Sequence, residues 1–232
     1  MRNFFMTVLM IGGLLSSCNS QNAVTVNGEK MQLEDGLYAH LSTNKGDILI
    51  KLAHEKAPLT TANFVALAEG NHPLASAEFQ GKPFYDGLIF HRVIPNFMAQ
   101  TGGFNEGFIR NEPFGTVINE SIGGLPNITG SVAMARTSDP DSASSQFYIN
   151  VANNNNLNAK GQQPGYTVFA TVIEGQDIAP KITQLPQGQH ANKGYRNAPN
   201  QSVIITSAKR IKPRKPLAFE IPTAKSPQQT HQ

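Results

Sequence analysis

The sequence predicts a mainly β fold, a closed barrel of eight strands capped by two helices. Its apolar runs are short and separated by turn residues, and 20 glycines and 15 prolines interrupt the 232 residues. Only two segments show the apolar spacing of a helix. We expect the strands to form a closed barrel because closure removes exposed strand edges.

Eight apolar runs are the predicted strands. The first two, Tyr38 to Thr43 and Ile48 to Leu52, flank Asn44-Lys45-Gly46, which is typical of a hairpin turn because glycine readily adopts positive φ. The other six runs are Leu88 to Ile94, Phe97 to Gln100, Gly130 to Ala135, Gln146 to Val151, Thr167 to Ile173 and Val203 to Ile211.

Two segments predict helices. The first begins around Pro58 and ends at Gly70, with a threonine as its N-cap and with Phe64, Leu67 and Ala68 on one face. The second extends from about Gln176 to Gln184, and Leu185-Pro186 ends it.

The first 17 residues have the layout of a secretory signal peptide. Arg2 precedes an apolar stretch of about a dozen residues, which is shorter than the roughly 20 that a membrane-spanning helix needs. Leu15-Ser16-Ser17-Cys18 resembles the bacterial lipobox, in which the cysteine carries the lipid, and Cys18 is the only cysteine. We therefore expect a protein anchored by lipid in a bacterial cell envelope, on the periplasmic side.

The ends of the chain are predicted to lie outside the folded domain. We expect residues 18–36 to form the lipidated cysteine and a tether, residues 37–211 the domain, and residues 212–232 a basic, proline-rich tail without regular structure. The formal net charge is only +3, and 15% of residues are charged, which argues against a nucleic-acid partner.

Four motifs carry a family resemblance. They are Phe84 to Gly103, which contains Phe90-His91-Arg92-Val93-Ile94, then Gly130 to Thr137, Ser144 to Asn150, and Tyr166 to Phe169. In this order and spacing they resemble the cyclophilin-type peptidyl-prolyl isomerases over about residues 37 to 211. The resemblance implies an eight-stranded antiparallel barrel with two capping helices, and a prolyl isomerase that needs no cofactor or metal.

Rotation about an X-Pro bond requires no covalent chemistry. Its barrier is about 18–20 kcal/mol because amide resonance must be lost. A planar guanidinium suits the task, since it is always charged and can donate a hydrogen bond to the prolyl nitrogen in the twisted state. The resemblance assigns this catalytic role to Arg92.

The resemblance also implies the substrate site. The expected substrate-binding residues are Phe97, Met98, Gln100, Ala135, Arg136, Gln146, Phe147, Leu157 and Tyr166. Two positions depart from the family, because Asn156 stands where Trp or Phe is usual and Arg136 where many members have Asn. Since the usual Trp contributes to cyclosporin binding, we expect weak binding of this drug.

We therefore predict a peptidyl-prolyl isomerase that accelerates X-Pro rotation in exported proteins and assists their folding. Its expected partners are unfolded or extended proline-containing polypeptides, and the default oligomeric state is a monomer. Two alternatives remain. One is a barrel of this family that binds proline-containing segments with negligible turnover, and the weaker one is an unrelated β-barrel ligand carrier.

Overall fold

A computed structural model describes residues 23–188 and 194–211 of the chain. The predicted signal peptide, the lipidated Cys18 and the C-terminal tail lie outside these described residues. The strands are β1 (Ala23–Val26), β2 (Glu29–Gln32), β3 (Leu37–Thr43), β4 (Gly46–Leu52), β5 (Arg92–Ile94), β6 (Met98–Thr101), β7 (Ser131–Met134), β8 (Phe147–Asn150), β9 (Val168–Glu174) and β10 (Ile205–Ile211). The helices are α1 (Pro58–Glu69) and α2 (Ile178–Thr183), with short 3-10 segments at Pro140–Ser142 and Asn155–Leu157.

Strands β3 to β10 form one antiparallel sheet in the order β10-β3-β4-β9-β7-β8-β6-β5. The mainly β fold, the eight strands and the two helices are confirmed. The prediction of full closure overstates the structure, because the edge strands β5 and β10 do not pair along their length. Instead, the irregular segment before β5 contacts the start of β10, where Phe90 N donates to Val203 O (2.9 Å) and Ile205 N to Leu88 O (2.8 Å).

Residues 23–32 are not a tether. Strands β1 and β2 form an antiparallel hairpin in which Asn27 adopts a positive φ of 49° at the turn. Val26 is fully buried and packs with Tyr38 and Leu49 on the outside of the sheet. The short alternation of Val24 and Val26 supplies one apolar face, and the contact with the sheet stabilises a hairpin that would be marginal alone.

The start of α1 also differs from the prediction. Its N-cap is Ala57, and no threonine caps it, because Pro58 begins the helix before either threonine. The carboxylate of Glu120 takes over the capping role, accepting from Leu59 N (3.0 Å), Thr60 N (2.8 Å) and Thr60 Oγ1 (2.7 Å). At the other end Gly70 has the expected left-handed conformation, with φ of 69°.

The two faces of the sheet carry separate apolar clusters. Inside the curled sheet, Phe147 packs with Phe64 from α1, at a ring-centroid distance of 5.6 Å, as part of the main core. On the outside, Met98, Ala133, Tyr148 and Val168 form a second buried group, which we call the outer cluster. Because successive residues of a strand point to opposite faces, neighbours such as Phe147 and Tyr148 belong to different clusters.

Within residues 23–188 and 194–211, every helix is too short or too polar to cross a membrane.

Candidate active site

Arg92 and Gln100 lie opposite each other on the β5–β6 hairpin. The turn between the strands places Asn96 at a φ of 56° and is closed by a hydrogen bond from Phe97 N to Ile94 O (3.1 Å). Arg92 Nη1 donates to Gln100 Oε1 (3.2 Å), and the guanidinium carbon lies 5.9 Å from the centre of the Phe97 ring. Partial burial lowers the pKa of Arg92, but a guanidinium remains a cation at neutral pH.

Gln100 is held from its other side by Gln146. Gln100 Nε2 donates to Gln146 Oε1 (2.9 Å), so the oxygen of the Gln100 amide faces Arg92. Gly103 makes room for this arrangement, because a Cβ at that position would approach the Gln146 side-chain amide to 2.6 Å. The bond to Gln146 therefore orients the Gln100 amide, and Gly103 leaves the space that the Gln146 side chain needs.

A pocket of about 190 Å³ opens beside this pair. It is lined by Arg92, Phe97, Met98, Gln100, Ala135, Arg136, Tyr148, Leu157 and Tyr166. Its floor is the outer cluster, and its lining contains no carboxylate. The volume is below the usual range for drug-sized ligands, so the pocket suits one small apolar group.

Arg136 covers one wall of the pocket. Its guanidinium carbon lies 4.6 Å from the centre of the Tyr166 ring, and its nitrogens donate to the carbonyl oxygens of Gly165 (3.1 Å), Pro164 (3.2 Å) and Thr137 (2.9 Å). A cation over an aromatic face is attracted by the ring quadrupole. The pocket thus has two arginines, of which Arg136 is held in place by backbone carbonyls.

The placement of Phe147 in the substrate pocket is wrong. This side chain is fully buried in the main core, and Tyr148 occupies the pocket wall instead. The strand period contained this signal, since successive residues of β8 point to opposite faces, so Phe147 and Tyr148 cannot both face the pocket. The remaining predicted pocket residues line the cavity, apart from Gln146, which lies next to it through Gln100.

Among residues 23–188 and 194–211, no three His, Cys, Asp or Glu side chains lie close enough together to hold a metal ion.

The sequence comparison identifies the family. A family model described as cyclophilin type peptidyl-prolyl cis-trans isomerase matches residues 38–210. The chain belongs to the cyclophilin-type peptidyl-prolyl cis-trans isomerases. Accordingly, the predicted isomerase activity is confirmed at the level of the family.

Bacterial relatives cover most of this cyclophilin. It is 40% identical over 199 residues to a peptidyl-prolyl cis-trans isomerase of Acinetobacter baylyi, covering 86% of this chain and 92% of the relative. It is also 40% identical over 168 residues to peptidyl-prolyl cis-trans isomerase B of Escherichia coli, covering 71% of this chain and 94% of that protein.

Solved cyclophilins have the same fold. A crystal structure of a cyclophilin type isomerase of Cryptosporidium parvum superposes with a TM-score of 0.57 at 21% identity, covering 75% of this chain and 97% of that one. A second structure of that protein, in the presence of the dipeptide Ala-Pro, has a TM-score of 0.57 at 22% identity and covers 75% and 99% of the two chains.

His91 precedes the arginine but is not equipped for proton transfer in this cyclophilin. Its side chain is buried beside Phe104, at a ring-centroid distance of 4.7 Å. Burial lowers the pKa of His91 to about 4, against smaller opposing effects of hydrogen bonds with the Ile89 backbone and Gln146. The ring is therefore neutral at physiological pH, which agrees with a reaction that moves no proton.

Proposed function

We propose that this cyclophilin is a lipid-anchored prolyl isomerase of the bacterial cell envelope that accelerates X-Pro rotation in exported proteins and assists their folding. The signal-like residues 1–17 and the lipobox-like sequence ending in Cys18 support export and anchoring on the periplasmic side. Family membership supports the reaction. Its substrates are unfolded or extended proline-containing polypeptides.

In the proposed mechanism Arg92 stabilises the twisted peptide bond. As resonance is lost, the prolyl nitrogen becomes pyramidal and can accept a hydrogen bond from the guanidinium. Arg92 Nη1 donates hydrogen bonds to Gln100 Oε1 and to the Met98 sulfur. Within the described part of the chain, the other two guanidinium nitrogens donate no such bond. The other N–H groups remain for the substrate.

The proline ring enters the adjacent pocket. A pyrrolidine ring has no side-chain donor, so burial against apolar surface provides its main attraction. Met98 and Phe97 supply that surface next to the guanidinium. The observation that carries the proposal is an arginine beside a small pocket that has apolar walls from Phe97 and Met98 and no carboxylate in its lining.

A second candidate function is the binding of proline-containing segments without turnover. The exposed Asn156, which precedes the pocket residue Leu157 and stands where the family usually has an aromatic residue, favours that alternative. Exchange of an Ala-Pro-Phe-type peptide, measured by NMR exchange spectroscopy with the native protein, separates the two. Accelerated exchange supports the enzyme, and peptide binding with unaccelerated exchange supports the binding protein.

The loss of that aromatic residue also leads to the proposal that cyclosporin binds weakly. An inhibition constant below micromolar in the same exchange assay would contradict it.

The cellular part of the proposal has its own test. Cells producing the full chain or the Cys18→Ser variant are labelled with radioactive palmitate and fractionated. We expect label and membrane association only with Cys18 present. Unlabelled protein in the soluble fraction from both strains would refute the lipid anchor, and light scattering of the purified protein tests the expected monomer.

A further inference from the structure

Three buried asparagines connect the walls of the pocket to one another. Asn127 is fully buried, Asn150 is 1% exposed and Asn154 is 6% exposed. We call them the asparagine chain. Buried amides are retained only when their hydrogen bonds are made, so their partners indicate their role.

Asn127 holds three pocket residues at once. Its Oδ1 accepts from the hydroxyl of Tyr148 (2.8 Å). Its two Nδ2 hydrogens are shared among three acceptors, the carbonyl oxygens of Tyr166 (3.2 Å) and Leu157 (3.4 Å) and Asn158 Oδ1 (3.2 Å). These residues come from β8, from the segment before β9 and from the 3-10 segment at Asn155–Leu157. One side chain therefore joins three separate parts of the chain.

The other two asparagines extend this connection to a fourth wall. Asn150 Nδ2 donates to Asn127 Oδ1 (3.2 Å), and Asn154 Nδ2 donates to Asn150 Oδ1 (2.6 Å). Asn154 Nδ2 also donates to the carbonyl oxygen of Phe97 (2.9 Å). Each link joins an amide nitrogen to an oxygen, so the bonds are mutually consistent.

These hydrogen bonds hold the pocket walls at defined distances, which apolar packing alone does not do. Burial of apolar surface is non-directional, whereas hydrogen bonds depend steeply on distance and angle. Leu157 and Tyr166 lie outside the strands, so no strand ladder determines their position. Displacement of a substrate-positioning group by about 1 Å can cost on the order of 100-fold in rate.

We propose that Asn127, Asn150 and Asn154 are positioning residues that set the width of the proline pocket. This inference rests on the proposed function, because it takes the cavity beside Arg92 as the proline site. The asparagines do not contact the substrate. They act through Tyr148, Leu157, Tyr166 and Phe97.

The test compares Asn127→Ala with Leu41→Ala in the full chain, by NMR exchange of the Ala-Pro-Phe peptide. Leu41 is fully buried in the main core on β3, away from the pocket, so its truncation lowers stability without touching the walls. Both are measured well below their unfolding temperatures. We expect kcat/KM of Asn127→Ala to fall about 10-fold through a higher KM, with kcat within about twofold, and that of Leu41→Ala to stay unchanged.

NMR of the tyrosine rings supplies a readout independent of activity. The ring signals of Tyr148 and Tyr166 should shift in Asn127→Ala and keep their positions in Leu41→Ala. Equal losses of kcat/KM in the two variants, or a folded Asn127→Ala variant with unchanged KM, would overturn the proposal.

Asn154→Ala keeps the proposal testable if Asn127→Ala does not fold. It removes only the links to Phe97 and Asn150, and we expect about a threefold higher KM. An unchanged KM in this folded variant would count against the asparagine chain. Failure of the proposed function looks different, because the native protein itself would then not accelerate exchange.

Discussion

Replacement of Arg92 tests the catalytic assignment most directly. Arg92→Ala removes the donor expected to reach the prolyl nitrogen and leaves the apolar walls in place. A hydrogen bond from a charged donor contributes about 1.5–3 kcal/mol, and about 1.36 kcal/mol corresponds to a tenfold change in rate. Because this bond to the prolyl nitrogen forms only in the twisted state, its whole contribution appears in the rate, and we expect a loss of about 2.7 kcal/mol, or 100-fold in kcat/KM.

The chain offers matched controls for this prediction. Arg92→Lys keeps the charge but loses the planar fork, so we expect an intermediate loss of about 10-fold. Lys209→Ala removes an exposed cation from β10, at the opposite edge of the sheet from β5, and should leave the rate unchanged.

The assay is exchange spectroscopy of the Ala-Pro-Phe peptide at saturating and limiting concentrations, which separates kcat from KM. A folded Arg92→Ala variant that keeps more than about one third of the native kcat/KM would refute the catalytic role of Arg92. An equal loss in Lys209→Ala would refute it as well.

Three further predictions concern the pocket wall, the start of α1 and the buried His91. Tyr148→Ala should lower kcat/KM about 10-fold, because it removes a wall of the pocket. Phe147→Ala should chiefly lower the unfolding free energy, by about 3–5 kcal/mol in urea denaturation, because it empties a site in the main core. The reverse pattern would contradict the placement of these residues on opposite faces. Glu120→Ala should lower the unfolding free energy by about 2 kcal/mol, because the start of α1 loses its cap. Glu120→Gln should lose less. Equal stability of the native protein and both variants would show that the cap is unimportant. His91 should destabilise the fold as pH falls from about 6.5 to about 4, because only the unfolded state binds its proton in that window. At about 1.36 kcal/mol for each pH unit, the unfolding free energy falls by about 3 kcal/mol over this window. The difference in unfolding free energy between the native protein and His91→Asn should therefore change with pH by this amount. A difference that stays constant with pH would contradict the prediction.

Local patterns predicted most of the architecture. Each of the eight apolar runs became a strand of the main sheet, because alternation and turn residues act within a few positions of each other. The left-handed Gly70 at the end of α1 was predictable for the same reason. The β1–β2 hairpin was not, because four alternating residues are a weak signal and its stability comes from packing on Tyr38 and Leu49.

The pocket required more than local information. The family motifs predicted Arg92, Gln100 and most of the lining, but they also predicted Phe147 in the pocket, where the structure has Tyr148. The two-residue period of a strand already distinguishes these neighbours in the sequence. The capping of α1 by Glu120, about 60 residues away, had no sequence signal of its own.

Patterns within short segments were enough to predict the mainly β fold, the family and the arginine at the centre of the site. Which side chains face the pocket, and how its walls are held together, depends on contacts between distant segments. The asparagine chain joins residues from position 97 to position 166, and such contacts exist only once the strands are paired. Directional hydrogen bonds between distant segments depend on that pairing, which no local pattern encodes.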